Sequence, residues 1–183
     1  RFGERELADY LRSGNSDHGA AYGPMAEVVY RSLRMLTPED ALAIARYLKQ
    51  VAPAPLRVPA PVAPSAAVAG GAGATIYRRE CSDCHGEHGE GTPGRHPPLR
   101  GSVAVSAPDP INAVRMVLYG GMPVTSAGNP RPHSMPPFVQ RLDAAEVAAV
   151  VAYIRSAFGG HDAPLGADDV AAMGGLVLAG EHG

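Results

Sequence analysis

Residues 80–94, ECSDCHGEHGEGTPG, contain both cysteines of the 183-residue chain, three positions apart, with a histidine directly after the second. Cys-x-x-Cys-His is the attachment signature of c-type haem. The chemistry sets the spacing. Two thiols add to the two vinyl groups on one porphyrin edge, and two intervening residues let a helical turn present both sulfurs along that edge. The next side chain, His85, then points beneath the ring and can ligate the iron. Three other uses compete. A thioredoxin-like redox couple wants a βαβ context, and no strand pattern is evident. Half a zinc site wants a second Cys or His pair at finger spacing, which is missing. A disulfide closing so short a loop adds little stability. Covalent haem on Cys81 and Cys84, with His85 on the iron, is the expectation.

The rest of the composition agrees with a small, stapled helical protein. There is no Trp, and aromatics make up 5% of the chain, so any core is lean and gains from a large cofactor. With 22 Gly and 18 Pro, much of the chain must be loop or linker. A formal charge of −2 with no basic stripe argues against a nucleic-acid partner. No apolar run reaches the ~18–20 residues of a bilayer span. The opening, RFGERELADYLRSG, reads as the middle of a domain, so a start further upstream is expected.

Working outward, the pattern predicts helices and loops only. Leu7, Tyr10 and Leu11 give 4–13 helical spacing, and Gly14 stops it. Residues 25–34 fit a short helix or a turn-rich segment. Thr37 caps a helix with Pro38 at its first position, running to about Gln50. Residues 52–73 are Pro/Ala-rich, then Gly/Ala-rich, and read as a linker. A helix near 73–83 leads into the cysteines. Pro110 opens another, stopped by Gly120 and Gly121. Asp143 caps the strongest, AAEVAAVVAYIRSAFG. The tail, 161–183, is weakly helical in its middle. Four segments follow: a half-module at 1–51, a linker at 52–73, a complete module at 74–160, and the tail. The half-module is inferred from a repeat: LTPEDALAIARYL (36–48) matches LDAAEVAAVVAYI (142–154), and each unit carries a Met before that helix, Met25 in GPMAEVV and Met135 in SMPPFVQ.

Residues 73–160 resemble the class I cytochromes c, an all-α fold. Gly73 and Tyr77 resemble that family's N-terminal helix, and Tyr153 the aromatic of its C-terminal helix that packs on the glycine. Pro97 and Leu99 in PPLRG resemble its Pro-x-Leu, where the proline carbonyl accepts the other ring N–H of the proximal histidine. SMPPF resembles its M-P-x-F, which implies Met135 as sixth iron ligand. Met122 competes because it too precedes a proline, while Met116 sits mid-helix and reads as core. Arg95, Arg100, Arg115 and Arg131 are candidates for the haem propionates, with Arg131 the first choice. Leu99, Ile111, Val114, Phe138 and Val150 are candidates for haem packing. His88 and His96 read as exposed loop residues, His133, two before Met135, as a surface residue with a place lining the haem edge as the alternative, and His18, His161 and His182 as solvated.

The longer pattern YLRSG…GPMAEVVYRSLRMLTPEDALAIARYLKQV, a linker, then IYRRECSDCHGEHGEG resembles the triple-haem cytochrome c subunits of bacterial membrane-associated dehydrogenases. Those serve alcohol, gluconate and fructose dehydrogenases and some molybdenum hydroxylases. This chain closes its module on FGG where that group has aromatic-Gly-Asn. The resemblance implies electron transfer, with catalysis on a quinoprotein, flavin or molybdenum partner subunit and delivery to quinone or a terminal oxidase. It implies a periplasmic location at the outer face of the inner membrane, without a transmembrane helix in this chain. It also implies a second haem c ligated by Met25, with its attachment motif upstream. The competing classes are a haem peroxidase and a gas or redox sensor, both of which need a displaceable methionine.

Overall fold

The computed structural model describes residues 2–16, 18–51, 66–92, 95–125, 131 and 133–175. Among these the chain is all-α, apart from a hairpin of two-residue strands, β1 (Asn15–Ser16) and β2 (Gly19–Ala20).

The first unit is built by α1 (Glu4–Ser13), α2 (Gly23–Arg31) and α3 (Pro38–Val51). Each boundary has a local cause. Gly14 takes a left-handed φ of 73° and its N–H bonds Tyr10 O, ending α1. Thr37 Oγ1 accepts the Asp40 N–H at 3.1 Å and caps α3. The region 25–34 resolves into the end of α2 and a 3-10 turn at Leu33–Met35. The α1 and α3 helices meet through Ala8, Ala41 and Ala45, whose small side chains allow close approach.

The second unit comprises α4 (Ala66–Ala69), α5 (Ala72–Glu80), α6 (Ser82–His85), α7 (Ile111–Tyr119), α8 (Ala144–Gly159) and α9 (Ala167–Gly175). Asp143 caps α8 reciprocally: its Oδ1 accepts the Glu146 N–H at 2.8 Å, and its own N–H donates to Glu146 Oε2 at 3.0 Å. The main core lies where α8 packs on α5, α7 and α9, and includes Tyr77, Val114, Val117, Phe138, Val147, Val150 and Val151. At the α5–α8 crossing, a Cβ on Gly73 would run into the Ala149 carbonyl oxygen and come within 3.0 Å of Tyr153 Cβ. Only glycine lets these two backbones touch.

Three expectations are corrected. The end of the stretch read as linker is helical, as α4 and the first turn of α5; residues 52–65 lie outside the described residues. The helix entering the cysteines does not run through them. It breaks at Cys81, where the backbone turns before α6. The middle of the tail is also a docked helix, not a weak one. In α9, Val170 and Gly174 are buried against the core, and Tyr119 OH donates to Gly174 O at 3.1 Å.

The repeat is unequal in burial. Ile44 and Leu48 in α3 are exposed, whereas their counterparts Val150 and Ile154 in α8 are buried. Tyr47 is 63% exposed, whereas its counterpart Tyr153 packs on Tyr77 with ring centroids 5.3 Å apart. The helix that packs on α3 is α1, and among the described residues of α3 it leaves only Ala41 and Ala45 buried. The two units touch through Ala21, Val29 and Val124, and Val103 N–H donates to His18 O at 3.3 Å.

Candidate functional site

The site is built by the turn α6 and the loop that follows it. Cys84 and His85 both donate their N–H to Cys81 O, at 3.2 and 2.9 Å, so one helical turn carries both thiols and the imidazole. Both cysteines are free thiols. Cys81 faces the core and Cys84 is exposed. Burial, then the neighbouring Glu80 carboxylate and Cys84, push the Cys81 thiol up to about 12. A thioredoxin-like nucleophile needs the opposite shift. No cluster of three His, Cys, Asp or Glu suited to a metal ion occurs among the described residues.

The loop after α6 folds back on itself. Gly91 N–H donates to His85 O at 2.8 Å, Thr92 and His96 exchange both backbone bonds at 2.9 Å, and Leu99 N–H donates to Gly89 O at 2.9 Å. Gly91 makes the turn at φ 66°, where an added Cβ would lie 2.6 Å from His96 O. This brings Pro97 O to 3.0 Å from His85 Nδ1. A carbonyl can only accept, so His85 carries its proton on Nδ1 and leaves Nε2 with a free lone pair. Burial lowers the His85 pKa, with the Pro97 bond acting in the opposite sense, which favours the neutral imidazole a metal requires.

Met135 lies on the segment between α7 and α8. Its backbone pairs with Gly121 in both directions, at 2.9 and 3.0 Å, and its half-buried side chain packs on the main core. Met122 is 63% exposed, and Met116 is half-buried rather than core. In the first unit Met25 sits in the first turn of α2 and is 57% exposed. Tyr153 and Gly73 meet at the α5–α8 crossing. Val114, Phe138 and Val150 belong to the main core, and Leu99 packs against it. Ile111 is half-exposed outside that cluster. Arg131 is exposed and makes no hydrogen bond or ion pair among the described residues.

Several functional-looking groups are invisible in the sequence. Glu80, beside Cys81, is largely buried between Arg79 and Arg141, both at 2.7 Å. Arg155, 5% exposed, donates to the carbonyls of Ala107 at 2.8 Å and Pro108 at 3.0 Å, with Val105 at 3.4 Å. Its interruption of an apolar helix face is the one signal that could have marked it. His161 is not solvated, since its Nε2 lies 2.9 Å from Ser106 O. His96 and His133 are not free surface residues either. Their rings meet at 5.1 Å, and Arg95 Nε donates to His133 Nε2 at 3.1 Å.

These residues fit a covalent haem. Two free thiols share one turn, an imidazole held through Nδ1 keeps its Nε2 free, a methionine packs against the same core as Cys81, and buried His96 and His133 nitrogens lack partners among the described residues. A helical module with this constellation is a c-type cytochrome. Residues 71–158 match the family model described as Cytochrome c, and through this domain the chain belongs to the class I c-type cytochromes. It is 34% identical to the alcohol dehydrogenase (quinone), cytochrome c subunit of Gluconacetobacter polyoxogenes, over 87% of this chain and 36% of that protein. It is 35% identical to the gluconate 2-dehydrogenase cytochrome c subunit of Pantoea cypripedii, over 94% and 41%. It is 30% identical to the fructose dehydrogenase cytochrome subunit of Gluconobacter japonicus, over 91% and 39%. The chain therefore spans about two fifths or less of the length of these relatives.

Proposed function

We propose that this chain is the electron-transfer part of a cytochrome c subunit serving a dehydrogenase, with substrate chemistry on a partner subunit. The observation that carries this is the His85–Pro97 pair behind the Cys81/Cys84 turn. It fixes the ring, fixes the tautomer and presents Nε2. When bound, haem would supply a one-electron couple. Cys81 and Cys84 would hold the group covalently, His85 would supply a nitrogen ligand and Met135 a thioether that raises the potential. Leu99 and Phe138 would help to exclude water from it. Relatives named for an alcohol dehydrogenase (quinone), a gluconate 2-dehydrogenase and a fructose dehydrogenase favour a dehydrogenase partner, with quinone or an oxidase as acceptor. Covalent haem on free thiols favours the periplasm. No described helix is long and apolar enough to cross a membrane.

The same reading gives Met25 to a second haem whose attachment motif lies on an upstream segment. The exposed apolar face of α2 and α3, with Met25, Tyr47 and Leu48 outward, supports such a cover. The test is haem content by a denaturing pyridine assay on the natural full-length protein and on this chain. One covalent haem on this chain and more on the full-length protein is expected. His85→Ala should keep the covalent haem and lose the low-spin spectrum, and Met135→Ala should lower the potential and open the iron to carbon monoxide. If native reduced protein binds carbon monoxide readily, the peroxidase and sensor readings displace this one. No covalent haem on Cys81 and Cys84 sinks it.

A further inference from the structure

Arg95, His96 and His133 come together from two separate segments, the loop before Pro97 and the strand-like stretch before Met135. An arginine side chain can only donate. Arg95 Nε donates to His133 Nε2, so that nitrogen is the acceptor and the His133 proton sits on Nδ1. That Nδ1–H is buried and has no partner among the described residues. His96 Nδ1 is buried and unpartnered as well, with the two rings edge to face. A buried polar nitrogen without a partner costs ~1–3 kcal/mol whether it donates or accepts, and two adjacent cases are uncommon in a native fold. An acceptor beside this guanidinium-flanked imidazole pair would satisfy the His133 Nδ1–H, and a carboxylate suits it best. Among the described residues no Asp or Glu makes an ion pair with Arg95 or His133.

We propose that Arg95, His96 and His133 form a carboxylate clamp that holds a propionate of the covalent haem. The assignment rests on the haem reading above, because the porphyrin's two propionates are the carboxylates delivered to this loop. The neighbours set the location. His96 directly precedes Pro97, whose carbonyl orients the proximal His85, and His133 lies two residues before Met135. The clamp therefore ties the proximal loop to the methionine segment through the cofactor's edge. It also replaces Arg131, the first choice from sequence, which is exposed and makes no hydrogen bond or ion pair among the described residues.

The experiment uses the haem-loaded chain and three variants, His133→Phe, Arg95→Leu and Arg95→Lys. Midpoint potential, the propionate bending band in resonance Raman and the methionine–iron charge-transfer band are read together. Losing a cation or donor at the propionate leaves its negative charge less balanced and favours ferric iron. Both His133→Phe and Arg95→Leu should lower the potential and move the propionate band toward that of an unpaired carboxylate. Arg95→Lys should recover part of each shift. NMR of the unaltered haem protein should show a hydrogen-bonded His133 Nδ1–H protected from exchange, a result independent of any variant's folding. Covalent haem with an unchanged propionate band in both His133→Phe and Arg95→Leu overturns the clamp. So does a charge-transfer band lost in His133→Phe without any propionate shift, since His133 would then only shape the methionine segment. A chain with no covalent haem overturns the proposed function first and the clamp with it.

Discussion

Tyr77 shows how much one side chain can do for the site. Its ring is fully buried against Tyr153 and Phe158, and its hydroxyl donates to Gly86 O at 2.5 Å, at the point where the chain leaves His85. Burial is the main cause that pushes its pKa upward. The sign follows from linkage: an unfolded tyrosine ionises near pH 10 while the folded one stays neutral. The contribution is complete below that pH and is lost as pH rises through the unfolded value toward the folded one. Tyr77→Phe is expected to cost ~1 kcal/mol at neutral pH and to flatten the alkaline loss, read by denaturant melts at several pH values. Arg155 is the second case. It is a buried cation satisfied by backbone carbonyls, held below its usual pKa by desolvation with nearby Asp109 opposing. Arg155→Met should cost ~2–3 kcal/mol, because the carbonyls of 105–108 lose a charged donor. Faster amide exchange confined to that loop would identify the cause. At this scale Cys81, Cys84, His85 and Pro97 are legible in the sequence because a local spacing encodes each one. Arg155 and the pairing of His96 with His133 are not, because the partners lie on distant segments.

At the scale of elements, the helices are legible because capping residues and apolar period fix them locally. Thr37, Asp143, Gly14 and Gly120 all fall at or next to helix ends. The break at Cys81 is not legible, since the same residues have adequate helical character on both sides. What ends α5 is the need to turn α6 so that Cys81 faces the core and Cys84 faces out. The α9 helix is underestimated for a related reason. Its glycine-rich sequence is a poor helix former alone, and its stability comes from burying Val170 against the core. The α5–α8 crossing is the element contact most sensitive to substitution. Gly73→Val would place side-chain atoms where the Ala149 carbonyl and Tyr153 now lie. A loss of about 3 kcal/mol is expected, measured by thermal unfolding of the haem-loaded chain. Gly175→Ala, with nothing within 4 Å of the added carbon, should leave stability unchanged within ~0.5 kcal/mol.

For the whole molecule, the decisive contact is the one between units, which periodicity and motifs do not reveal. Val124 is 5% exposed and packs with Ala21 and Val29, while Tyr22 lies against Gly121, the residue whose backbone pairs with Met135. The segment leading to Met25 thus touches the residue that pairs with Met135. This junction is mostly apolar, with the Val103–His18 backbone bond at its side. Val124→Asp would bury an unpaired carboxylate there, at a cost of ~3 kcal/mol or more. The expected outcome is uncoupling. Calorimetry should show the first unit melting ahead of the second, and α1–α3 amides should lose exchange protection while α5 and α8 keep theirs. The first unit is the one to yield, because its α1–α3 contact buries only Ala8, Ala41 and Ala45, whereas α8 alone buries ten residues. If the variant still melts in one transition with α1–α3 protected, the junction is carried by the backbone bond and the Tyr22 contact instead, and Val124 merely fills space between units held elsewhere.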